Sequence, residues 1–334
     1  MSAILGNTIK MTVFGQSHAD NIGVVIDGLR AGVKIDRSKL QAFMQRRAPG
    51  QSPNATPRKE KDQVEFLSGL IDDTTCGAAV CAIIRNTNIR KKDYAALKDI
   101  PRPGHSDYTA YKKFGKFRDA TGGGQFSGRM TAPYCIAGGI ALQILEQQGI
   151  IVQANIDEIG GKAWDLENQE IDKARQAGDS VGGVIACKIT GVPAGIGDAF
   201  FGGIESRLAV GIFGIPGVKG LEFGSGFKGS RLRGSENNDP FIRQGNHIVT
   251  ATNHHGGILG GISSGMPITF RVAVKPTPSI AKGQKSVNLE TGESVPLNIA
   301  GRHDPCIVPR AVPVVEAIAG FVIYDLLMED TNER

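Results

Sequence analysis

Glycine constrains the fold of this chain more than any other residue type. It occupies 45 of 334 positions, against a usual share of about 7%, and it follows no fibrous repeat. Because glycine tolerates positive φ and close backbone contacts, much of the chain must form tight turns or close approaches. Long loops inside a compact domain are usually functional or mobile. The glycine-rich, polar stretches that read as irregular loops are residues 121–128, 224–246, 253–266 and 275–303.

The segments between these loops alternate between strand and helix patterns. Runs rich in β-branched residues predict strands at 8–14, 22–28, 63–69, 79–85, 150–156, 183–191 and 268–274. Apolar spacing and capping residues predict helices at 36–47, 131–149, 168–177, 205–214 and 313–328. No change of composition marks a linker. The sequence therefore predicts one domain over residues 1–334, long enough to bury a sizeable core.

The composition argues against several classes of protein. The five cysteines are scattered and form no CxxC pair, which disfavours a disulfide framework or a zinc site and favours a reducing cytoplasm. Neither a run of 18 apolar residues nor a charged-then-apolar N-terminus occurs, so the sequence predicts neither a membrane span nor a secretory signal.

Positive charge is concentrated in two regions, although the net charge is only +5. Residues 37–61 carry seven Lys or Arg against one acid, and residues 85–118 carry ten against three. Such clusters attract anions in general, although a solvated basic face is an alternative explanation. Aromatic residues make up only 6% and no recognisable nucleic-acid motif is present, so we do not expect a nucleic-acid partner.

The basic region contains a motif suited to anions, "RPGHSD" at 102–107, followed by "RDATGGGQFSGR" at 118–129. Pro103 and Gly104 predict a turn that exposes His105 beside Arg102, whose planar guanidinium suits a phosphate or carboxylate. Successive glycine N–H groups can also form an anion nest. The pattern lacks GxxxxGK[ST] and does not follow a strand, so neither a P-loop nor a dinucleotide fingerprint is indicated.

Two further motifs have an ordinary structural explanation beside the functional one. In "FGQSHAD", His18 lies at the exit of a predicted strand beside Ser17, where it could donate a proton near neutral pH or simply be a structural histidine. Arg46 and Arg47 end a predicted helix, where cations complement the helix dipole but could also reach a ligand.

The last motifs lie near the C-terminal end. In "VKPTPSI", Lys275, Thr277 and Ser279 alternate around two prolines, which suits a phosphate-bearing ligand. In "GRHDPCIVPR", Asp304 could act in a site or cap the final helix.

The adjacent pair His254 and His255 lacks a nearby carboxylate in sequence and makes a poor metal site. We therefore predict no metal.

Together these motifs resemble the chorismate synthase family over about residues 6 to 328. In order, they are "GQSHA", "RRAPGQ", "RPGHSDYT", "RDATGGGQFSGR", "GGILGGISSGMP", "KPTPSI" and "GRHDPCIVPRAVP". The resemblance implies a single α+β domain with helices packed between antiparallel β-sheets, assembled as a homotetramer. It also implies an anti-1,4-elimination of phosphate from 5-enolpyruvylshikimate 3-phosphate, giving chorismate, that depends on reduced FMN without net oxidation.

The resemblance also implies roles for individual residues. His18 would protonate or steady the departing phosphate, His105 would keep the reduced flavin in its reactive protonation state, and Asp304 would help flavin N5 act as the base. The implied substrate-binding residues are Ser17, Arg47, Arg102, Ser127, Arg129 and Arg302. The implied FMN contacts are Gln125, Phe126, Ser127, Pro216, Gly217, Gly260, Lys275, Pro276, Thr277, Pro278, Ser279 and Arg302.

The chain departs from the family pattern at several positions. "GQSHA" has Gln16 and Ala19 where the family usually has Glu and Gly, and Pro216-Gly217 replaces Asn-Ala. Pro53 and Gln125 stand where many relatives have Arg. These departures motivate a second hypothesis, a non-catalytic relative that binds FMN or a phosphoester. The lack of a large insertion favours an external flavin reductant over reduction of the flavin by the chain itself with NADPH.

Overall fold

The computed structural model describes residues 3–48, 62–87, 98–165, 169–299 and 304–333. The helices in these ranges are α1 (Arg37–Arg47), α2 (Asp107–Phe114), α3 (Thr131–Gln147), α4 (Glu170–Gln176), α5 (Ile204–Phe213), α6 (Gly226–Gly229), α7 (Gly234–Asn237) and α8 (Val308–Glu333). The strands are β1 (Ile4–Leu5), β2 (Lys10–Gly15), β3 (Asn21–Asp27), β4 (Glu65–Ser68), β5 (Leu70–Ile71), β6 (Thr74–Thr75), β7 (Val80–Arg85), β8 (Ile151–Ile159), β9 (Lys162–Ala163), β10 (Gly183–Thr190), β11 (Val218–Phe223), β12 (Phe241–Gln244), β13 (His247–Thr250), β14 (Ile258–Leu259), β15 (Ile262–Ser263), β16 (Ile268–Val274), β17 (Gln284–Val287) and β18 (Ser294–Leu297).

Two antiparallel sheets form the outer layers of the described structure. The first has the strand order β1-β2-β3-β7-β4 and the second β11-β16-β10-β8-β9. In the second sheet, Cys187 of β10 lies opposite Phe270 of β16 on one side and Ala154 of β8 on the other. Burial alternates strictly along β16, because successive side chains of a strand point to opposite faces and only one face packs on the core.

Two helices fill the space between the sheets. Helix α3 packs on β2, β3 and β7 of the first sheet, α8 packs on β8 and β10 of the second, and the two helices pack on each other. Their backbones come close at Gly138, where an added Cβ would lie 2.3 Å from the carbonyl oxygen of Ala317. Only glycine permits this approach. The predicted α+β sandwich with helices between antiparallel sheets is confirmed.

Helix α8 is the central element of the core. From Val308 to Thr331 it is long and apolar enough to cross a membrane, but 89% of its most apolar window is buried inside the protein. Glu316 is buried on this helix, where its carboxylate accepts a hydrogen bond from the backbone N–H of Ala154 at 2.9 Å and pairs with Arg46 at 2.6 Å. The apolar character of α8 thus matches its position between two layers.

The predicted strands and helices are present, with shifts at their ends. Asp36 caps α1 by accepting from the backbone N–H of Lys39 at 2.9 Å, as predicted. The prediction that 224–246, 253–266 and 275–303 are irregular is wrong in part, because α6, α7, β12 and the hairpins β14–β15 and β17–β18 lie there. These strands have two to four residues, too few to show a period of two.

Candidate functional site

A cleft of about 750 Å³ lies where α3 and α8 begin. This volume is in the range of about 300–1,000 Å³ typical of small-molecule sites. The cleft is lined by residues that follow β2 and β16, end α1 and α5, and precede α2. Among the described residues, the charged side chains lining it are six cations and one carboxylate: Arg47, Arg102, Arg129, Lys219, Lys275, Arg310 and Asp304. The excess of positive charge makes it a site for anions.

His18 lies in the turn after β2, and its ring position is fixed from two sides. Ser17 Oγ lies 2.9 Å from His18 Nδ1, and the backbone N–H of Ser17 donates to Gly124 O at 3.1 Å. Behind the ring, a Cβ on Gly122 would lie 2.4 Å from His18 Cε1, and Gly122 has a φ of +67°. The glycine-rich loop therefore makes room for the imidazole of a histidine that lines the cleft.

Arg102, His105 and Asp107 form a second cluster at the start of α2. Asp107 accepts from Arg102 Nε at 2.7 Å and Nη2 at 2.8 Å, and lies 2.6 Å from His105 Nδ1. Burial opposes ionisation of this carboxyl, but hydrogen bonds from Arg102 and His105 outweigh it and hold the pKa of Asp107 below its usual range. Arg102 Nη2 also donates to Gly122 O at 2.7 Å. The cluster is thereby joined to the loop behind His18.

The third cluster is a buried carboxylate between two arginines. Asp62 accepts from Arg47 Nη1 at 2.8 Å and from Arg129 Nη1. Burial opposes ionisation of Asp62, but the charges of Arg47 and Arg129 outweigh it and lower its pKa. Arg47 also donates to Thr131 Oγ1 at 3.1 Å and Gly128 O at 2.9 Å. These contacts tie the end of α1 to the start of α3.

The loop after β16 links the remaining parts of the site. Ser279 Oγ accepts from Arg102 at 3.3 Å, and Thr277 Oγ1 donates to Asp304 O at 2.7 Å. The carboxylate of Asp304 pairs with Arg310 Nη1 at 2.5 Å. Since α8 begins at Val308, Asp304 is not at its N-cap, and the capping alternative is wrong. Burial, followed by the charge of Lys219, lowers the pKa of Lys275.

The cleft brings together almost all the predicted site residues that the structure describes. They are Ser17, His18, Arg47, Arg102, His105, Gln125, Phe126, Ser127, Arg129, Pro216, Gly217, Lys275, Pro276, Thr277, Pro278, Ser279 and Asp304. Gly260 does not line it and lies in the turn between β14 and β15. Arg302 and Pro53 are outside the described residues. Of Arg46 and Arg47, only Arg47 lines the cleft, whereas Arg46 pairs with Glu316.

The histidine pair after β13, His254 and His255, is held in its loop by contacts with Asp239. Asp239 accepts from the backbone N–H groups of His254 and His255, both at 2.8 Å, and lies 3.5 Å from His255 Nε2. Within the described ranges, no group of three or more His, Cys, Asp or Glu side chains could hold a metal ion.

Sequence reasoning missed several residues of the site. Lys219, Tyr134, Phe213 and Arg310 line the cleft, and Asp62 lies beneath it. Arg310 belongs to a quoted motif, but its position in the first turn of the final helix suggested no role there. Asp62 is a single carboxylate after a basic run, and nothing in the sequence shows that it faces two arginines.

The helix-filled sandwich carries a cationic cleft whose size and charge suit small, multiply charged anions. Comparison with known proteins is more specific: the family model described as chorismate synthase matches residues 9–328, and the chain belongs to that family.

Curated relatives and a solved structure agree with this assignment. The chain is 45% identical over 98% of its length to a chorismate synthase of Dehalococcoides mccartyi strain 195, covering 97% of that protein. It is 42% identical over 97% of both chains to a chorismate synthase of Korarchaeum cryptofilum. It also resembles a solved structure described as a crystal structure of chorismate synthase, with a TM-score of 0.75 and 24% identity over 97% of this chain and 93% of that one. This last likeness concerns the fold.

Proposed function

We propose that this chain catalyses the elimination of phosphate from 5-enolpyruvylshikimate 3-phosphate to give chorismate, as a carbon-oxygen lyase that requires reduced FMN. The observation that carries the proposal is the convergence of His18, His105 and Asp304 with four arginines in one cleft. Substrate and cofactor are both polyanions, so a site with six cations and one carboxylate suits the pair.

The cleft fits FMN because it combines an apolar wall with side chains that can donate hydrogen bonds to a phosphate. Phe126, Phe213, Ile215 and Pro216 line it together with Lys275, Thr277 and Ser279. The apolar side chains would pack on the flavin ring, and the others would hold its phosphate. When bound, reduced FMN supplies an electron-rich ring and the N5 atom that the elimination requires, without net oxidation.

The protein's own part in the reaction is to neutralise charge and to hold protons. Loss of phosphate from C3 leaves a dianion that Arg47, Arg102 and Arg129 would stabilise. His18 would donate a proton to the departing phosphate or steady it, a role that its fixed ring and the ability of an imidazole to transfer protons support. His105 and Asp304 would lie beside the flavin.

The first test measures phosphate release by the purified protein under anaerobic conditions. With dithionite-reduced FMN we expect phosphate and chorismate in equal amounts, and with oxidised FMN we expect neither. A non-catalytic relative would instead bind FMN and release no phosphate under full reduction.

Neighbouring arginines on α1 provide a matched pair for the same assay. Arg47→Gln is expected to raise KM at least about 10-fold, since one charge-assisted contact contributes about 1.5–3 kcal/mol. Arg46→Gln should leave KM unchanged, because Arg46 lies outside the cleft. Equal effects on KM would contradict substrate binding by Arg47.

We also propose a homotetramer, supported by apolar side chains that one chain leaves exposed. Phe200 and Phe201 are 89% and 92% exposed, and Val210 and Phe213 share an exposed face of α5. Val210→Asp is expected to shift the assembly towards smaller species, measured by light scattering after size exclusion. Val287→Asp, at a separate exposed position, is the control. An unchanged mass for Val210→Asp would contradict an interface on this face.

A cytoplasmic location and an external flavin reductant complete the proposal. All five cysteines are free thiols, as expected in a reducing compartment. Electron supply from outside the chain would require only that reduced FMN reach the cleft. Adding NADPH with oxidised FMN in place of dithionite tests this directly, and turnover without a reductase would show that the chain reduces its own flavin.

A further inference from the structure

We infer that Asp62 is a positioning residue for the reaction, one that holds Arg47 and Arg129 together as a single anion-binding pair at the edge of the cleft. The inference rests on the proposed function only for the identity of the anion. Asp62 does not line the cleft, whereas both arginines do, so any effect of Asp62 on a ligand must pass through them.

The contacts of the three side chains leave little freedom. The side chain of Asp62 is 0% exposed, and those of Arg47 and Arg129 are 2% and 5% exposed. Each carboxylate oxygen of Asp62 takes one guanidinium, Oδ2 from Arg47 and Oδ1 from Arg129. Asn86 accepts from Arg129 Nε at 3.0 Å. The two guanidiniums are therefore fixed side by side.

The backbone of Asp62 is itself anchored to α1. Gln41 donates to Asp62 O at 3.2 Å and accepts from the backbone N–H of Val64 at 3.3 Å. Asp62 has a φ of 45°, in the left-handed region that non-glycine residues rarely adopt. Local contacts thus hold Asp62 in a backbone conformation that an aspartate rarely adopts.

Charge explains why a carboxylate is needed at this position. Two buried guanidiniums repel each other, and one carboxylate between them leaves a net charge of +1 for a ligand. Burial, together with the charge of Arg310, lowers the pKa of Arg47, which shows that a further cation is already near. Removing one partner from a buried ion pair is costly because the other charge stays behind.

Positioning and simple electrostatics predict opposite changes in anion affinity when Asp62 is replaced. Removing a negative charge from beside an anion site should tighten anion binding by Coulomb attraction alone. If Asp62 acts by positioning, binding should weaken, because the two guanidiniums separate and no longer meet the same ligand group.

The experiment uses Asp62→Asn, which keeps the size of the side chain and loses its charge. Calorimetry would measure binding of 5-enolpyruvylshikimate 3-phosphate and, separately, of inorganic phosphate. We expect the phosphorylated substrate to bind about 10- to 100-fold more weakly, the range that loss of one charge-assisted contact gives. Turnover should show the change mainly in KM. Tighter or unchanged binding of both anions would overturn the inference.

A double-mutant cycle and a stability control separate positioning from general destabilisation. Because Asp62 acts partly through Arg129, the losses caused by Asp62→Asn and Arg129→Gln should be less than additive, and full additivity would overturn the inference. Asp325 is also buried and pairs with Arg207, and neither residue lines the cleft. Asp325→Asn should lower the melting temperature and leave anion binding by the folded protein unchanged.

If Asp62→Asn does not fold, Asn86→Ala provides the second variant. It removes the Asn86 acceptor of Arg129 Nε and should weaken substrate binding several-fold, whereas unchanged binding would count against positioning of this arginine. If the unaltered protein binds the substrate but does not turn it over, the proposed function fails while the binding comparison still tests Asp62.

Discussion

His18→Asn is expected to lower kcat for phosphate release by about 10²- to 10⁴-fold, the range typical of a lost general acid. The ring of His18 lines the cleft, contacts Ser17 Oγ and packs against Gly122, where a side chain would not fit. Asparagine can hydrogen-bond to a phosphate but cannot donate a proton to it near neutral pH. Substrate affinity should therefore change much less than kcat. Single-turnover phosphate release with reduced FMN measures the chemical step directly.

Two variants show whether this loss is specific. Ser17→Ala removes only the hydroxyl that lies 2.9 Å from His18 Nδ1, so its effect on kcat should be smaller than that of His18→Asn. His247 lies on the exposed hairpin β12–β13, and His247→Asn should leave kcat unchanged. If His18→Asn lowers kcat by less than twofold, His18 does not take part in the proton transfer.

The local elements were predictable because they depend on short-range patterns. Asp36 as the cap of α1 and the alternating burial of β16 both follow from residues within one turn or strand. Helix α2 was missed, since it is polar and buries only Ala110. Its eight residues make only about two turns, too few for a helical period to stand out in the sequence.

The arrangement of the layers was not predictable from those patterns. β3 pairs with β7, and β10 pairs with β16, across many intervening residues that carry no sign of the pairing. Alternating strands and helices alone would not have given two antiparallel sheets with helices between them. The resemblance to a known family supplied that architecture, and the structure confirms it.

For the site, the sequence analysis predicted the residues that lie in motifs, and it did not predict those that only folding brings near. His18, His105 and Asp304 each stand in a short polar motif and share the cleft. Asp62 was missed because its role depends on Arg47 and Arg129, which reach it from α1 and from the turn before α3. Gly260 was assigned from the family motif and does not line the cleft.

His105→Ala is expected to lower kcat by about 10²-fold, the lower end for a lost acid–base group. His105 lines the cleft, and its ring, held by Asp107 at 2.6 Å, would exchange a proton with a bound flavin. The measurement is phosphate release with dithionite-reduced FMN at saturating cofactor, so that weaker FMN binding does not contribute. A variant as fast as the unaltered protein would show that His105 has no such role.

Asp107→Asn tests how His105 is held, and its effect on stability has a defined dependence on pH. Because the pKa of Asp107 is lowered in the folded state, its charge stabilises the fold above the usual aspartate pKa of about 3.9. That contribution is lost as the pH falls below this value. The unaltered protein should therefore melt higher than Asp107→Asn near neutral pH, and the difference should shrink below about pH 4. Asp107→Asn should also lower kcat by about 10-fold, since the amide keeps only one of the two oxygens that hold Arg102 and His105, and that oxygen carries no charge. A melting difference that stays constant from pH 7 to pH 3 would mean that Asp107 acts through its shape and not through its charge, and its pairing with His105 and Arg102 would then not explain the geometry of the site.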